Sequence, residues 1–323
     1  MTRKFDASIA SARRTNDGDA CRSPTSITIR SRVRVSDRSR LDARTPTLSR
    51  LTVVRARSLL CVLSTAVELH VEEYGAGEPA IVLSHGFAGS ARNFRPQARF
   101  LRDRHRVILF DARGHARSAS PNDASEYTPD AFVMDMARMV DRAAAKRVVV
   151  GGISMGAAIA LRYALRYPDS LVGLVLASYP SAGSASTWAL ELADALDREG
   201  SEAAGERYVW GGGRFDAESA KWIRQGFLEH RPEVLSSVLR QVLAVEPAVA
   251  DRAEALRKLT VPTLLVAGER DTPSVESTRA LLDVLPHARR VVVPGAGHVV
   301  NLEKPESFNE ALRDFLSEIE DEK

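Results

Sequence analysis

Two cysteines, Cys21 and Cys61, are all that this 323-residue chain contains, and both fall near its N-terminus. No disulfide framework and no cysteine-based metal site is therefore available to the rest, an economy that fits a reducing, cytoplasmic compartment. Long hydrophobic runs are missing too. No stretch reaches the ~18 consecutive apolar residues of a membrane span. The apolar segment from Leu59 to Val67, preceded by Arg55 and Arg57, imitates a secretory signal only weakly, since it lies deep in the chain and no cleavage site is evident. Nor is there an excess of one charge: the formal net charge is +3. That figure hides an asymmetry. Residues 1–60 carry 14 Lys and Arg against 5 Asp and Glu, and the remainder 31 against 37. The basic character belongs to the N-terminal segment. The remainder is mildly acidic and shows no polycationic footprint for nucleic acid.

Residues 1–64 are rich in Arg, Ser and Thr and have no sustained periodicity. Such a segment buries too little apolar surface to offset the entropy of ordering it, and a disordered basic extension is expected. It reads as an inert leader or a start assigned too early, with the true start near Val62. A transit peptide or a tether to a polyanion are its functional alternatives. From residue 65 to 323 the pattern is that of one domain. Short β-branched runs at Glu68–Tyr74, Ala80–Ser84, Arg106–Asp111, Arg147–Gly151, Leu171–Ala177, Thr263–Ala267 and Arg290–Val293 alternate with amphipathic stretches. The clearest of these are Asp130–Ala144, Met155–Arg166, Val275–Val284 and Glu306–Ile319. Near-continuous apolar strands separated by helices predict a doubly wound, mostly parallel α/β sheet covered on both faces. One interval breaks the rhythm. Residues 183–253 show only helical patterns and hold Trp188, Trp210 and Trp222, which predicts a helical lid inserted between two strands.

Gly152-Ile153-Ser154-Met155-Gly156 follows the apolar run Val148–Val150 and opens a helical stretch. A G-x-S-x-G at a strand-to-helix turn lifts the serine to a strained apex beside a helix N-terminus. Ser154 is thus the candidate nucleophile. It needs a base, and His298, in the glycine-rich run Pro294–His298 after the last strand, can be carried over it. His85 and His115 lie in loops on the same sheet edge and are expected to be structural, bonded to neighbouring backbone. The chain order Ser, then acid, then His places the third member after an intervening strand. Asp271, three residues beyond Gly268, fits that place; Glu269 is the alternative, and either could instead be a helix N-cap. Oxyanion donors are expected from the backbone N–H of Met155 and of Phe87, the latter in the loop Ser84–Ser90.

These motifs resemble the α/β-hydrolase superfamily over residue 66 to the C-terminus. The resemblance rests on His85-Gly86-Phe87, on Asp111–Ser118, on Gly152–Gly156, on Gly268 with Asp271, and on Gly297-His298 with Asn301, Glu303 and Pro305. The Gly-Ile-Ser-Met-Gly run and the segment His298–Glu306 are most similar to 3-oxoadipate enol-lactonases and related esterases. Ala116 and Ala157 stand where the family often carries glycine. The resemblance implies cleavage of a small-molecule ester or lactone through an acyl-enzyme, without metal or organic cofactor. Partners would be a small substrate, with neither nucleic acid nor a membrane span; a homo-oligomer stays open. The alternatives are a carbon–carbon bond hydrolase, which would often carry Asn at position 152, and a non-catalytic receptor retaining the pocket. A dicarboxylate substrate would need a cationic anchor. Arg214 and Arg224 of the lid are the candidates weighed, against the plainer reading of solvated surface arginines.

Overall fold

The computed structural model describes residues 66–180, 184–211, 215 and 217–321. The expected N-terminal extension with both cysteines, and Arg214, lie outside them. Seven strands form one sheet: β1 (Val71–Tyr74), β2 (Ala80–Ser84), β3 (Val107–Phe110), β4 (Val148–Ile153), β5 (Gly173–Ala177), β6 (Thr263–Gly268) and β7 (Ala288–Val293). Their spatial order is β1-β3-β2-β4-β5-β6-β7. All neighbours are parallel except β1, which runs antiparallel to β3 with Val71 opposite Phe110. β1 is shorter than the sequence pattern implies, and His70 precedes it rather than lying within it.

β2 through β6 are buried along their whole length, as expected of strands covered on both faces. Their two-residue alternation sorts side chains into two cores. Val82, Ile108, Val150 and Leu174 point to one face, under α2 (Pro129–Ala143) and α3 (Met155–Arg166), whose Phe132, Met136, Ile159 and Leu161 complete the layer. Ile81, Leu83, Leu109 and Val266 point to the other, under α1 (Arg95–Leu101) and the C-terminal helix. The pattern of α1, Arg-Pro-Gln-Ala-Arg-Phe-Leu, is too short and too basic to stand out in the sequence.

Between β5 and β6 the chain is helical: α4 (Ser184–Gly205), interrupted at Gly200 (φ 78°), then a π-helical turn Glu206–Trp210, α5 (Ala217–Leu228), α6 (Pro232–Val238), a second π turn Leu239–Leu243, and α7 (Ala253–Arg257). This insertion matches the lid expected there. Its return is anchored internally: Glu246, buried, accepts from Tyr179 Oη, from Arg162 of α3 at 2.9 Å and from Arg252. After β6 come α8 (Thr272–Leu282), α9 (Val300–Glu303) and α10 (Pro305–Asp321). α8 starts three residues earlier than the periodicity suggests, because Pro273 is tolerated in a first turn. α10 buries Phe308, Leu312, Phe315, Leu316 and Ile319, a stripe of helical period.

Candidate active site

Ser154 holds the turn from β4 into α3 at φ 53°, ψ −117°, a conformation that penalises any residue with a Cβ. Two glycines make the turn sterically feasible. A Cβ on Gly152 would fall 2.4 Å from the Gly156 carbonyl carbon, and one on Gly156 would fall 2.1 Å from the Ser84 oxygen. The Ser154 N–H donates to the Ala177 carbonyl at 2.9 Å, tying the apex to β5. Met155 opens α3, so its N–H has no intrahelical carbonyl to reach. The loop after β2 comes alongside: a Cβ on Gly86 would lie 3.4 Å from Ser154 Cβ. Phe87 follows, with Trp188 and Phe227 edge-on at ring-centroid distances of 6.3 and 6.2 Å.

His298 Nδ1 lies 2.7 Å from Asp271 Oδ2. A nitrogen that donates there leaves Nε2 as the imidazole's other face. Asp271 is the N-cap residue of α8, yet its side chain does not cap that helix; the carboxylate serves the histidine. Glu269 goes elsewhere, accepting the Gly295 N–H at 2.8 Å. The loop bearing His298 is held from several sides. Glu303 accepts from Gly297 N–H at 2.8 Å and Val299 N–H at 3.2 Å. The Ser178 hydroxyl donates to the His298 carbonyl at 2.7 Å, and Asn301 Nδ2 donates to the Asn93 carbonyl at 2.8 Å. Asn301 and Glu303 thus have positions dictated by the loop they brace.

The other two histidines weighed as rivals are committed to backbone. His85, fully buried, donates from Nδ1 to the Gly86 carbonyl at 2.7 Å and accepts the Ala112 N–H on Nε2 at 2.9 Å. His115 donates from Nδ1 to the Arg113 carbonyl at 2.9 Å, and its Nε2 is buried without a partner. The lid adds His230, which donates from Nδ1 to the Gly226 carbonyl at 2.7 Å and accepts the Ala116 N–H on Nε2 at 3.0 Å. The rings form a row, His85–His115–His230, with successive centroids 5.1 Å apart, the first pair tilted by 59° and the second edge-on at 69°. Burial holds all three below the ordinary histidine range, His85 to about 4. They are neutral, and nothing in the local pattern around His230 marks it as the residue that completes the row.

Ser154, His298 and Asp271 border one cavity of about 1080 Å³ with Gly86 and Phe87. No hydrogen bond joins Ser154 to His298 in this state; such contacts often tighten only with substrate. The apolar part of the lining includes Ile153, Trp188, Phe215, Phe227 and the exposed Trp222; Trp210 meets Phe227 edge-on at 5.5 Å. Arg224 does not line the cavity and pairs with Glu202 on the exposed surface. Among the described residues, the arginines that line it are Arg92, Arg95, Arg99 and Arg270, none of them singled out from the sequence. Positions 92, 95 and 99 follow the loop after β2 at spacings of three and four, with Arg92 in a 3-10 turn, Ala91–Phe94, and Arg95 and Arg99 in α1. Among the described residues no three His, Cys, Asp or Glu side chains converge as a metal site, and no helix is long and apolar enough to cross a membrane.

Sheet order, insertion and elbow define the class of enzyme. The chain belongs to the α/β-hydrolase fold family, whose sequence pattern matches residues 79–305. It is 30% identical over 266 residues to the 2-(acetamidomethylene)succinate hydrolase of Mesorhizobium japonicum, covering 77% of this chain and 92% of that one. It is 24% identical over 259 residues to 3-oxoadipate enol-lactonase 2 of Acinetobacter baylyi, covering 76% and 92%. Among solved structures, a thermophilic esterase from Thermogutta terrifontis is 30% identical with a TM-score of 0.69, over 78% of this chain and 94% of that one. The likeness to enol-lactonase-like enzymes and to hydrolases as a group matches what the motifs implied.

Proposed function

We propose that this chain is a serine hydrolase that cleaves carboxylic esters or lactones of small to medium acyl groups. Ser154 Oγ attacks the acyl carbonyl carbon as His298 Nε2 takes its proton. Asp271 keeps the imidazole in the tautomer that presents Nε2 and stabilises the imidazolium. The N–H groups of Phe87 and Met155 hold the oxyanion. His298 then gives its proton to the departing alkoxide, and the acyl-enzyme remains. A water, deprotonated by His298, attacks the acyl carbon. The acid leaves, Ser154 recovers its proton, and the enzyme is regenerated.

The observation that carries this reading is the 2.7 Å contact of His298 Nδ1 with Asp271 Oδ2 at the rim of the cavity that Ser154 also borders. The carbon–carbon hydrolase alternative would often carry Asn at position 152, where this chain has Gly. The test is a panel of p-nitrophenyl esters and simple lactones of graded chain length, assayed on wild type and Ser154→Ala. Wild type hydrolyses acyl chains of roughly C2–C8, as befits an enclosed pocket of this size class, and Ser154→Ala does not. Activity confined to chains longer than about C12 overturns the enclosed-pocket reading. A cavity that binds such esters while wild type leaves them intact points to the receptor alternative.

A further inference from the structure

In sheet order β2, which leads into the Phe87 loop, lies on one side of β4, and β7, which leads into the His298 loop, lies beyond β5 and β6 on the other. A run of buried amides joins the two loops by a shorter route. Asn301 of α9, three residues past His298, donates from Nδ2 to the Asn93 carbonyl at 2.8 Å and to Gln97 Oε1 at 3.3 Å. Gln97 of α1 returns the contact: its Nε2 donates to the Asn301 carbonyl at 3.0 Å and to Asn309 Oδ1 at 3.2 Å. Asn93 carries the line onward, since its Oδ1 accepts the Ser90 N–H at 2.8 Å. Ser90 directly follows the turn that holds Phe87, closed by the Gly89 N–H on the Gly86 carbonyl at 3.0 Å, with Ala88 at φ 53°. A Cβ on Gly89 would fall 2.4 Å from Asn93 Oδ1, so turn and amide are in close contact. Gln97 and Asn301 are both buried, on helices that otherwise bury apolar side chains, Ala98, Leu101 and Val300. Apolar residues there would add burial without the cost of desolvating two amides. What a reciprocal amide pair adds is direction, because its hydrogen bonds form in one register only.

We propose that Asn301 is a positioning residue that couples the two loops, with Asn93 as its relay: it fixes the loop of the proposed base in register with the loop of the proposed oxyanion donor. This rests on the assignment of His298 and Phe87 to those roles. A tetrahedral adduct on Ser154 must meet an imidazole and an oxyanion donor at once, and a displacement of about 1 Å in either is costly in rate. Linking the loops reduces two independent adjustments to one. Asn301 touches no reacting atom. It acts through the Asn93 carbonyl toward one loop and through its own place in α9 toward the other.

The test uses the full-length protein and two readouts. Asn301→Leu keeps a similar shape and removes the donor. Gln97→Met keeps the buried volume, removes both amide contacts with Asn301, and takes its place if Asn301→Leu does not fold. Asn93→Leu removes the acceptor for the Ser90 N–H, whereas Asn93→Asp keeps an oxygen there. The first readout is amide hydrogen exchange by mass spectrometry, in peptides spanning residues 85–93 and 294–301. Asn301→Leu is expected to speed exchange in both by about tenfold, the worth of roughly one buried hydrogen bond. A residue that merely braces its own loop would speed it only in 294–301. The second readout is steady-state kinetics on p-nitrophenyl butyrate. In Asn301→Leu and in Asn93→Leu kcat falls about tenfold while KM stays nearly constant, and Asn93→Asp recovers most of the loss. The double variant Asn301→Leu/Asn93→Leu loses about as much as the worse single variant, since both cut one line. Exchange that quickens only in 294–301, or kcat losses that multiply in the double variant, overturns the coupling. If wild type shows no Ser154-dependent hydrolysis, the catalytic assignment fails instead, and exchange in the two loops still decides whether they are coupled.

Discussion

The carboxylate of Glu303 accepts the Gly297 N–H at 2.8 Å, one residue before His298. A side chain on a different helical turn thereby sets the backbone of the loop that carries the proposed base. Glu303→Ala releases Gly297 and Val299 together and leaves Arg270 without its partner. The expected outcome is a fall in kcat of about 10- to 100-fold from mispositioning of the imidazole, with KM for a neutral ester little altered. Steady-state kinetics on p-nitrophenyl butyrate, alongside near-ultraviolet circular dichroism to verify the fold, check this. Unchanged kcat would mean the loop holds its shape without the brace.

Ser154 bears a conformational cost at φ 53° that alanine shares and glycine does not. Ser154→Ala should lower kcat by about 10³-fold or more with little change in stability. Ser154→Gly should be as inactive yet more stable than Ser154→Ala, by about 1 kcal/mol. Urea unfolding of the two variants separates these outcomes. If the alanine variant is the more stable of the two, the strain at the elbow is not real.

The row of buried histidines makes stability depend on pH. Burial depresses the folded-state value of His85 to about 4 and lowers those of His115 and His230 as well, whereas the unfolded chain titrates near ~6.5. The unfolded state therefore binds more protons on acidification. The contribution of these histidines is fully present above about pH 6.5 and is lost progressively as pH falls from there toward the folded values. Unfolding free energies from denaturant titrations should decline between pH 7.5 and 5. His115→Leu, which also removes the orphaned Nε2, should flatten that decline. An equally steep slope in the variant would exclude His115 from it.

Ala116 departs from the glycine common in the family, and the structure shows what the departure costs. Its φ is 44°, in the left-handed region, while its N–H holds His230 of the lid. Ala116→Gly should relieve roughly 1–2 kcal/mol of steric cost and return about 0.4–1 kcal/mol through a freer unfolded chain. The net expectation is a small gain, on the order of 0.5 kcal/mol, visible as a higher urea midpoint at constant m. A lower midpoint would show that the methyl group packs usefully.

Much of the fold is legible in local pattern. β2 and α3 fall on the expected residues because apolar runs and helical periods are properties of neighbouring positions. The elbow, the acid after β6 and the histidine after β7 follow from chain order along the sheet. What escaped reading depends on distant segments meeting. The antiparallel sense of β1, the partnership of His230 with Ala116, and the closing of Arg92 on Glu229 across 137 positions leave no mark in local pattern. Arg99 escaped for another reason: an arginine on a short helix looks like solvated surface until the cavity beside it is seen. Of the two carboxylates weighed, Glu269 accepts the Gly295 N–H and Asp271 meets His298, a difference set by the direction of one short turn.

The position of the helical insertion bears on how the enzyme comes into being. Ser154 and the loop after β2 are encoded before it, Asp271 and His298 after it, so 144 positions of chain separate the proposed nucleophile from the proposed base. On the proposed mechanism, a growing polypeptide that has exposed its elbow still lacks the groups that would activate it, and remains chemically silent until β6 and β7 dock on the sheet edge. The same arrangement divides the molecule into two complementary fragments. A break within the insertion leaves the serine on one piece and the acid and histidine on the other, so hydrolysis by a mixture of the two reports their reassembly.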